Sequence, residues 1–263
     1  MKKIAFFDID GTLTSERDGS IPASAIESIR QARANGHLMF LNTGRCFQNV
    51  EERFRAIGFD GYVCGCGTNL YCDGKEIFYY HQSEETTKRI LAKARAAKVD
   101  ILFEGRNEVR FDLSRPLSHP GAIRQYNAFV TRDYDMRRPD TPGFFCDKFV
   151  IWYQYPEQLA EFRKESDELF ECIDRGGTFR EFVPKGYSKA TGISQVLKYY
   201  GLPLENAYAF GDSNNDLPML TCVPNSIAMG NASPASLFEK VSYVTEKASA
   251  DGIRLALSHF QFI

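Results

Sequence analysis

The sequence lacks any apolar stretch close to the roughly 20 residues that a helix needs to cross a bilayer. The apolar run that begins at Ile4 is interrupted by Asp8, so it is also too short for the apolar core of a signal peptide. We therefore expect no membrane partner and predict a cytoplasmic protein.

An excess of charge of one sign is also missing, because 32 Lys and Arg residues nearly balance 34 Asp and Glu residues. Nucleic acids attract proteins through a surplus of basic residues, so no nucleic-acid partner is expected. Any phosphate that the protein handles must be met by local positive charge. Protein partners and oligomeric state are not predicted by this composition.

Metal-binding pairs of cysteines are absent as well. The seven cysteines are scattered along the chain, and no pair has the spacing of a zinc site. We expect reduced and mostly buried thiols. None of the four histidines belongs to a sequence pattern typical of a catalytic triad with a nucleophilic Ser or Cys. We therefore expect them to be structural or at the surface.

The two ends of the chain follow one plan, in which apolar strands alternate with helices. The run from Lys3 to Phe7 is almost continuously apolar, which is typical of a parallel strand covered on both faces. A helix from Pro22 and a strand ending at Leu41 complete a βαβ unit, and the pattern resumes after Lys189. This predicts an α/β fold with a Rossmann-like parallel-sheet core and helices on both faces.

The middle of the chain has a different character. Its segments are more charged and alternate between helices and strands with polar faces, while Pro, Gly and Ser collect at both ends. We predict a core domain of residues 1–82 and 188–263, and an inserted α+β cap domain of residues 83–187. Such a cap is expected to exclude water and to read the leaving group of a substrate through candidate contacts Arg106, Arg110, Arg115, Arg175 and Arg180.

Reactive polar side chains follow three predicted core strands where each strand ends. Asp8 and Asp10 follow the first strand, Thr43 the second and Asp212 a later one. The carboxyl ends of parallel strands open onto one crevice, so we expect these residues to converge. Crowded carboxylates repel one another, and a hard divalent cation would hold them ionised. Oxygen ligands favour Mg²⁺, which would also attract a phosphate ester.

Asp8 and Asp10 lie two residues apart in one turn, which indicates that the two carboxylates have different catalytic roles. One carboxylate can attack phosphorus and form an aspartyl phosphate, which splits a difficult hydrolysis into two easier steps. The other can protonate the departing alkoxide and then deprotonate the incoming water. Taken alone, Asp-x-Asp-Gly-Thr fits a surface turn equally well. The polar residues at the other strand ends favour the site.

The sequence resembles the haloacid dehalogenase superfamily in a set of elements that occur in the order of the family. These elements are Asp8-Ile-Asp10-Gly11-Thr12-Leu13, Thr43, Lys189 and Gly211-Asp212-x-x-Asn215-Asp216. The long insertion between Thr43 and Lys189, with Asn42-Thr43-Gly44-Arg45, is similar to the Cof-type phosphatases of subclass IIB, which carry an α/β cap of the second type. The resemblance spans nearly the whole chain.

The resemblance implies a metal and nucleophile set for this chain. Asp8 would be the nucleophile and a metal ligand, and Asp10 the acid/base with its backbone carbonyl on Mg²⁺. Asp212 would be a further metal ligand, and Asp216 would contact the ligands without binding the metal itself.

The resemblance also implies a phosphate-binding set. Thr43 and the amide of Gly44 would hold the phosphoryl oxygens, and Asn215 would reach the substrate phosphate. Lys189 would neutralise the phosphoryl group and orient Asp8, although Ser188-Lys189-Ala190 departs from the more usual Lys-Gly. The alternative for Thr43-Gly44 is a plain turn, that for Lys189 is a surface lysine at a helix start, and that for Asn215 and Asp216 is a cap of the next helix.

Two further residues keep open roles. Arg45 either contacts the substrate or pairs with a carboxylate at the sheet edge. For Asn69, which follows the third predicted strand, the same two roles are open.

The function that the resemblance implies is Mg²⁺-dependent hydrolysis of a small phosphate monoester, such as a sugar phosphate or a phosphorylated cofactor. A phosphotransferase or phosphomutase of the same fold and a non-catalytic sensor of a phosphorylated ligand are the alternatives. Retention of both Asp8 and Asp10 disfavours the sensor, because binding alone needs no acid/base. The substrate itself stays open.

Overall fold

The computed structural model describes residues 2–132, 134 and 138–263. Its strands, numbered along the chain, are β1 Ile4–Phe7, β2 Leu38–Asn42, β3 Gly61–Cys64, β4 Asn69–Cys72, β5 Lys75–Tyr79, β6 Asp100–Gly105, β7 Glu108–Phe111, β8 Lys148–Trp152, β9 Phe170–Asp174, β10 Phe179–Pro184, β11 Ala207–Ser213, β12 Asn225–Ser233 and β13 Tyr243–Val244. Its helices are α1 Ala23–Ala34, α2 Glu52–Arg55, α3 Glu84–Ala97, α4 Pro120–Thr131, α5 Pro156–Leu169, α6 Lys189–Tyr200, α7 Leu217–Cys222 and α8 Gly252–His259.

These elements divide into two compact units. The first comprises Met1–Arg45, Val50–Phe78 and Tyr187–Ile263, and the second comprises Cys46–Asn49 and Tyr79–Gly186. The sequence pattern assigns residues 46–49 to the first of its two domains. The amide of Cys46 donates to Glu104 Oε2 at 3.2 Å, a contact between distant parts of the chain that ties this segment to the second unit.

The first unit is built on an eight-stranded sheet with the order β13-β12-β11-β1-β2-β3-β4-β5. The strands from β13 to β3 pair in parallel, and β4 runs antiparallel to β3. The chain leaves β1 toward β2 on one side and later returns to β11 on the other. The topological switch point, where open α/β sheets bind ligands, therefore lies at the carboxyl end of β1.

Both faces of this sheet are covered by helices. On one face, Ile4 and Phe6 pack in a core cluster with residues of α6 and α7. On the other face, α1 packs against β2 and α8, and the Tyr208 ring of β11 lies 5.2 Å from Phe260, which directly follows α8. Strands buried on both faces explain the nearly continuous apolar runs in the sequence.

The second unit is an antiparallel sheet of five strands in the order β7-β6-β8-β10-β9. Helices α3 and α5 pack on one face around Phe103, Phe149 and Phe162. Helix α4 packs on the other face, where Phe129 and Trp152 are buried. The predicted fold class, a parallel-sheet core with helices on both faces and an inserted α+β domain, is confirmed.

Several elements differ from those that the sequence pattern predicts. The pattern predicts one helix over residues 48–57, but extended backbone at Glu51 (ψ 152°) leaves only the short α2. The hairpin of β4 and β5 is not predicted by the pattern, nor is β9, whose first residue the pattern assigns to the preceding helix. Among the described helices, none has both the length and the apolar character required to cross a membrane.

Candidate active site

Asp8 follows β1 directly, at the switch point of the first unit. Its amide donates to the carbonyl of Phe210 in β11 at 3.0 Å, so the parallel pairing of the two strands extends to the first site residue. Its carboxylate is buried, with 5% of the residue exposed. The Lys189 Nζ atom donates to Asp8 Oδ1 at 2.5 Å. A carboxylate in this position is shielded from water and paired with one cation.

The turn after Asp8 depends on Gly11. Its φ of 81° lies in the left-handed region, where a side chain is rarely tolerated, and its amide donates to Thr14 Oγ1 at 3.1 Å. A Cβ atom at this position would stand 2.2 Å from Asp212 Oδ2. The glycine therefore serves both the turn and the close approach of Asp212.

Gly11→Ala should displace the Asp212 carboxylate and weaken divalent metal binding by about tenfold or more, the scale on which the surroundings of metal ligands act. Gly19→Ala is the matched control, because Gly19 has a φ of 70° and a Cβ atom added there would meet nothing within 4 Å. Calorimetric titration with Mg²⁺ or Mn²⁺ measures the difference. Equal metal affinity in the two variants would show that Asp212 does not depend on this contact.

Three aspartates form an acidic group at the strand ends. Carboxylate oxygens of Asp8, Asp212 and Asp216 all lie within 4.8 Å of one another. Burial and the neighbouring carboxylates raise the pKa of Asp8 and of Asp212 above their usual range, against the opposing effect of Lys189. The group thus holds more negative charge than one lysine offsets. Its all-oxygen donor set fits a hard divalent cation.

Lys189 is the buried cation of the site. It begins α6, whose N-terminus is capped by Ser188: the Ser188 Oγ atom accepts from the amide of Thr191 at 3.2 Å. Its Nζ atom contacts Asp8 Oδ1 and Asp216 Oδ1, both at 2.5 Å. Burial alone would lower the pKa of Lys189, but the two carboxylates raise it, so the lysine stays charged. The surface-lysine alternative does not match this position, because only 1% of the residue is exposed.

Asp216 has two tasks in this arrangement. Its Oδ1 atom shares Lys189 with Asp8, while Oδ2 accepts from the backbone amides of Asp212 and Ser213 at 2.9 and 3.1 Å. The family resemblance implies that this residue contacts the proposed metal ligands without binding the metal itself. The structure shows that it braces the Asp212 backbone and also contributes an oxygen to the acidic group.

The predicted phosphate-binding residues lie around the same strand ends. Thr43 is buried directly after β2, and its Oγ1 atom accepts from the amide of Arg45 at 3.1 Å across Gly44. Asn215 is buried in the turn after β11, where its Oδ1 atom accepts a hydrogen bond from Ser213 Oγ. Their contacts with a phosphate stay a prediction.

The Asp10 carboxylate is in a different environment from the acidic group. Its side chain is 65% exposed, and Arg45 Nη2 lies 2.7 and 3.0 Å from its two oxygens. It does not belong to the group formed by Asp8 and its neighbours. Of the two roles left open for Arg45, the structure shows pairing with a carboxylate.

The Asn69 side chain contacts the neighbouring strand of its hairpin, and a role for it at the strand-end site stays a prediction. It lies in β4, and its Nδ2 atom donates to Glu76 Oε2 and to the carbonyl of Phe78. Its buried Oδ1 atom has no hydrogen-bond partner within the described structure. The residue holds the hairpin of β4 and β5 together.

Sequence reasoning missed Asn231. Its Nδ2 atom donates to the carbonyl of Gly11 at 2.7 Å, and its Oδ1 atom accepts from the amide of Ala248 at 2.9 Å. It thereby links the turn after Asp8 to a loop more than 200 residues later in the chain. The only local signal, Asn231-Ala-Ser233, is typical of a glycosylation acceptor, and no spacing in the sequence pointed to the turn.

The arginines proposed as cap contacts all have partners within the second unit. Four of them form ion pairs and one stacks on an aromatic ring: Arg110 with Glu108, Arg115 with Asp100, Arg175 with Glu181, Arg180 with Asp174, and Arg106 over Tyr79. These contacts show that the arginines help to organise the second unit. Contact with a substrate stays a prediction for each of them.

The parallel-sheet core, the inserted domain and the aspartates at the strand ends define a family of enzymes. Residues 5–257 match the haloacid dehalogenase-like hydrolases, and the chain belongs to this family. The resemblance stated from the sequence motifs is thus confirmed, as is the assignment to the hydrolases.

The relatives of this chain are phosphatases by name. It is 28% identical to the putative phosphatase YkrA of Bacillus subtilis, over 97% of this chain and 96% of that protein. It is 26% identical to the pyridoxal phosphate phosphatase YbhA of Escherichia coli, over 89% of each chain. Among solved structures, the subclass IIB sugar phosphatase BT4131 superposes with a TM-score of 0.84 at 26% identity, over 100% of both chains.

Proposed function

We propose that this protein is a Mg²⁺-dependent phosphatase that removes phosphate from a small phosphate monoester through an aspartyl phosphate on Asp8. The observation that carries the proposal is the buried Asp8 carboxylate, paired with Lys189 and grouped with Asp212 and Asp216 at the switch point of the sheet. A bound Mg²⁺ would offset the charge of these carboxylates and of the phosphoryl oxygens.

The first step forms a bond between a carboxylate oxygen of Asp8 and phosphorus. The bond from phosphorus to the ester oxygen breaks, and Asp10 supplies the proton that the departing alkoxide needs. Lys189 holds Asp8 in place and neutralises part of the charge. Thr43 and the Gly44 amide are proposed to hold the phosphoryl oxygens, and Asn215 is proposed to reach the substrate phosphate.

The second step returns Asp8 to its starting state. Water attacks phosphorus, the bond to the Asp8 oxygen breaks, and Asp10 accepts the proton of the water. The products are inorganic phosphate and the free enzyme. Asp216 keeps the backbone of Asp212 in position during both steps through its two amide contacts.

The substrate is proposed to be a sugar phosphate or a phosphorylated cofactor. The related proteins support a small ester, because their names include a sugar phosphatase and a pyridoxal phosphate phosphatase. We further propose that residues 83–187 act as the cap that selects the substrate, and that the protein works in the cytoplasm. No nucleic-acid partner is expected, because the net charge is only −2.

The test is phosphate release from a panel of sugar phosphates, phosphorylated cofactors and p-nitrophenyl phosphate. Mg²⁺ should support turnover, EDTA should lower it by about 100-fold or more, and added Mg²⁺ should restore it. Turnover that survives EDTA would contradict the metal role. Transfer of the phosphoryl group to added sugars would identify a phosphotransferase instead, and a panel without any release would favour a sensor.

A further inference from the structure

Asp8 and Asp10 belong to one turn but are held by different cations. Lys189 pairs with the buried Asp8, whereas the exposed Asp10 receives the guanidinium of Arg45. The Arg45 Nη2 atom lies within hydrogen-bond distance of both Asp10 oxygens, at 2.7 and 3.0 Å. This contact restricts the carboxylate to one orientation.

Arg45 is itself braced by a chain of polar contacts. Its Nη1 atom lies 3.1 Å from Glu51 Oε1, and Glu51 Oε2 lies 3.0 Å from Arg53 Nε. Arg53 in turn donates to the carbonyl of Gly19 at 2.7 Å. Arg45 also stands over the Phe54 ring, 5.4 Å from its centroid. The guanidinium is therefore held in position, and the side chain of Arg45 is 19% exposed.

Stability alone does not explain this arrangement. Ion pairs between partly exposed side chains contribute little to the folded state, because water screens the charges and ordering the side chains costs entropy. A direct substrate contact explains it poorly too, because both terminal nitrogens of Arg45 are engaged with carboxylates. The contact with the proposed acid/base would give the arrangement a role in the reaction.

We propose that Arg45 is a positioning residue for Asp10, which fixes the orientation of the carboxylate that acts as the base of the second half-reaction. In that step Asp10 takes the proton of the water that attacks the phosphorus of phosphorylated Asp8. A guanidinium fixes the direction of a carboxylate through hydrogen bonds of defined geometry. The inference rests on the proposed function, since it assigns a role within the same two-step reaction.

The test uses p-nitrophenyl phosphate, whose leaving group departs as a stable anion and needs no proton. For this substrate, kcat/KM reports transfer of the phosphoryl group to Asp8, whereas kcat includes hydrolysis of phosphorylated Asp8. Arg45→Ala should lower kcat by about tenfold or more, as expected for impaired general-base catalysis. It should leave kcat/KM within about threefold, and acid quenching should trap more phosphorylated enzyme.

Matched variants test the connection to Asp10. In an Asp10→Asn background, Arg45→Ala should cause no further loss of kcat, because the two residues act as one unit. Arg45→Lys should recover only part of kcat, since lysine keeps the charge without the planar fork. Arg30→Ala is the control: Arg30 contacts main-chain carbonyls of Ala56 and Ile57 and should leave both parameters unchanged.

Other outcomes would overturn the inference. A fall in kcat/KM through a higher KM, undiminished in the Asp10→Asn background, would show a direct substrate contact. Unchanged kcat in Arg45→Ala would show that Asp10 needs no such support. Failure of the proposed function is a separate result, because wild-type enzyme would then yield no acid-trapped phosphorylated aspartate.

Discussion

Asp8→Asn is expected to lower phosphatase turnover by about 10⁴-fold or more, the scale observed when an essential nucleophile is removed. The amide cannot attack phosphorus to give the acyl phosphate, so the position directly after β1 that pairs with Lys189 loses its nucleophile. Phosphate release at saturating substrate and acid trapping of the phosphorylated enzyme measure the change. Both signals should disappear together.

Loss of folding should not account for this effect. Asparagine has nearly the shape of aspartate, and removal of one charge relieves repulsion in the group with Asp212 and Asp216, while Lys189 keeps its contact with Asp216. The denaturation midpoint should therefore stay close to that of the wild type. Asp18→Asn is the matched control, because the Asp18 side chain is exposed and bonds to Ser20. Turnover by Asp8→Asn comparable to this control would rule out the covalent route.

Lys189→Met is expected to lower the free energy of unfolding more than the other variants proposed here. In the absence of divalent metal the loss should be about 3–5 kcal/mol, which is the usual cost of removing one partner from a buried ion pair. The change keeps most of the side-chain volume but leaves Asp8 and Asp216 buried without their common cation. Urea unfolding in EDTA measures the difference. Turnover should fall as well, because Asp8 loses the contact that orients it.

Two comparisons make this result specific. Lys198→Met alters an exposed lysine on the same helix α6 and should change stability by less than about 0.5 kcal/mol. Adding Asp216→Asn to Lys189→Met should recover part of the lost stability, because one of the two uncompensated carboxylates is removed. A single variant as stable as the wild type would contradict the pairing that the structure shows.

The parts of the fold that the sequence predicted are those with a strong local pattern. Strands β1, β2 and β11 are apolar up to the polar residues at the carboxyl ends of β2 and β11, because both faces of the sheet are covered. The hairpin of β4 and β5 lacks this pattern, since β5 is partly exposed and the turn before β4 contains a positive φ at Cys66. Strand β9 follows α5 without a break, so no turn residue marked its start.

The candidate site likewise has a part that the sequence predicted and a part that it did not. The rule that strand ends share one crevice brought Asp8 and Asp212 together from the sequence, and the structure places their carboxylates in one group with Asp216. No local pattern showed that Arg45 holds Asp10, since arginine can reach many partners. None showed that Asn231 supports the Gly11 turn, because the two residues meet only through the folded chain.

By itself, the sequence determined the α/β core, the presence of an inserted domain, the family and the candidate residues for the chemistry. These follow from hydrophobic periodicity and from motifs whose members are neighbours along the chain. The resemblance already linked Lys189 to Asp8, but only the tertiary structure decided that Asp216 shares this lysine and that Arg45 holds Asp10. The physical reason is that an ion pair depends on distance and burial in space, and long side chains from distant segments reach positions that no sequence spacing specifies.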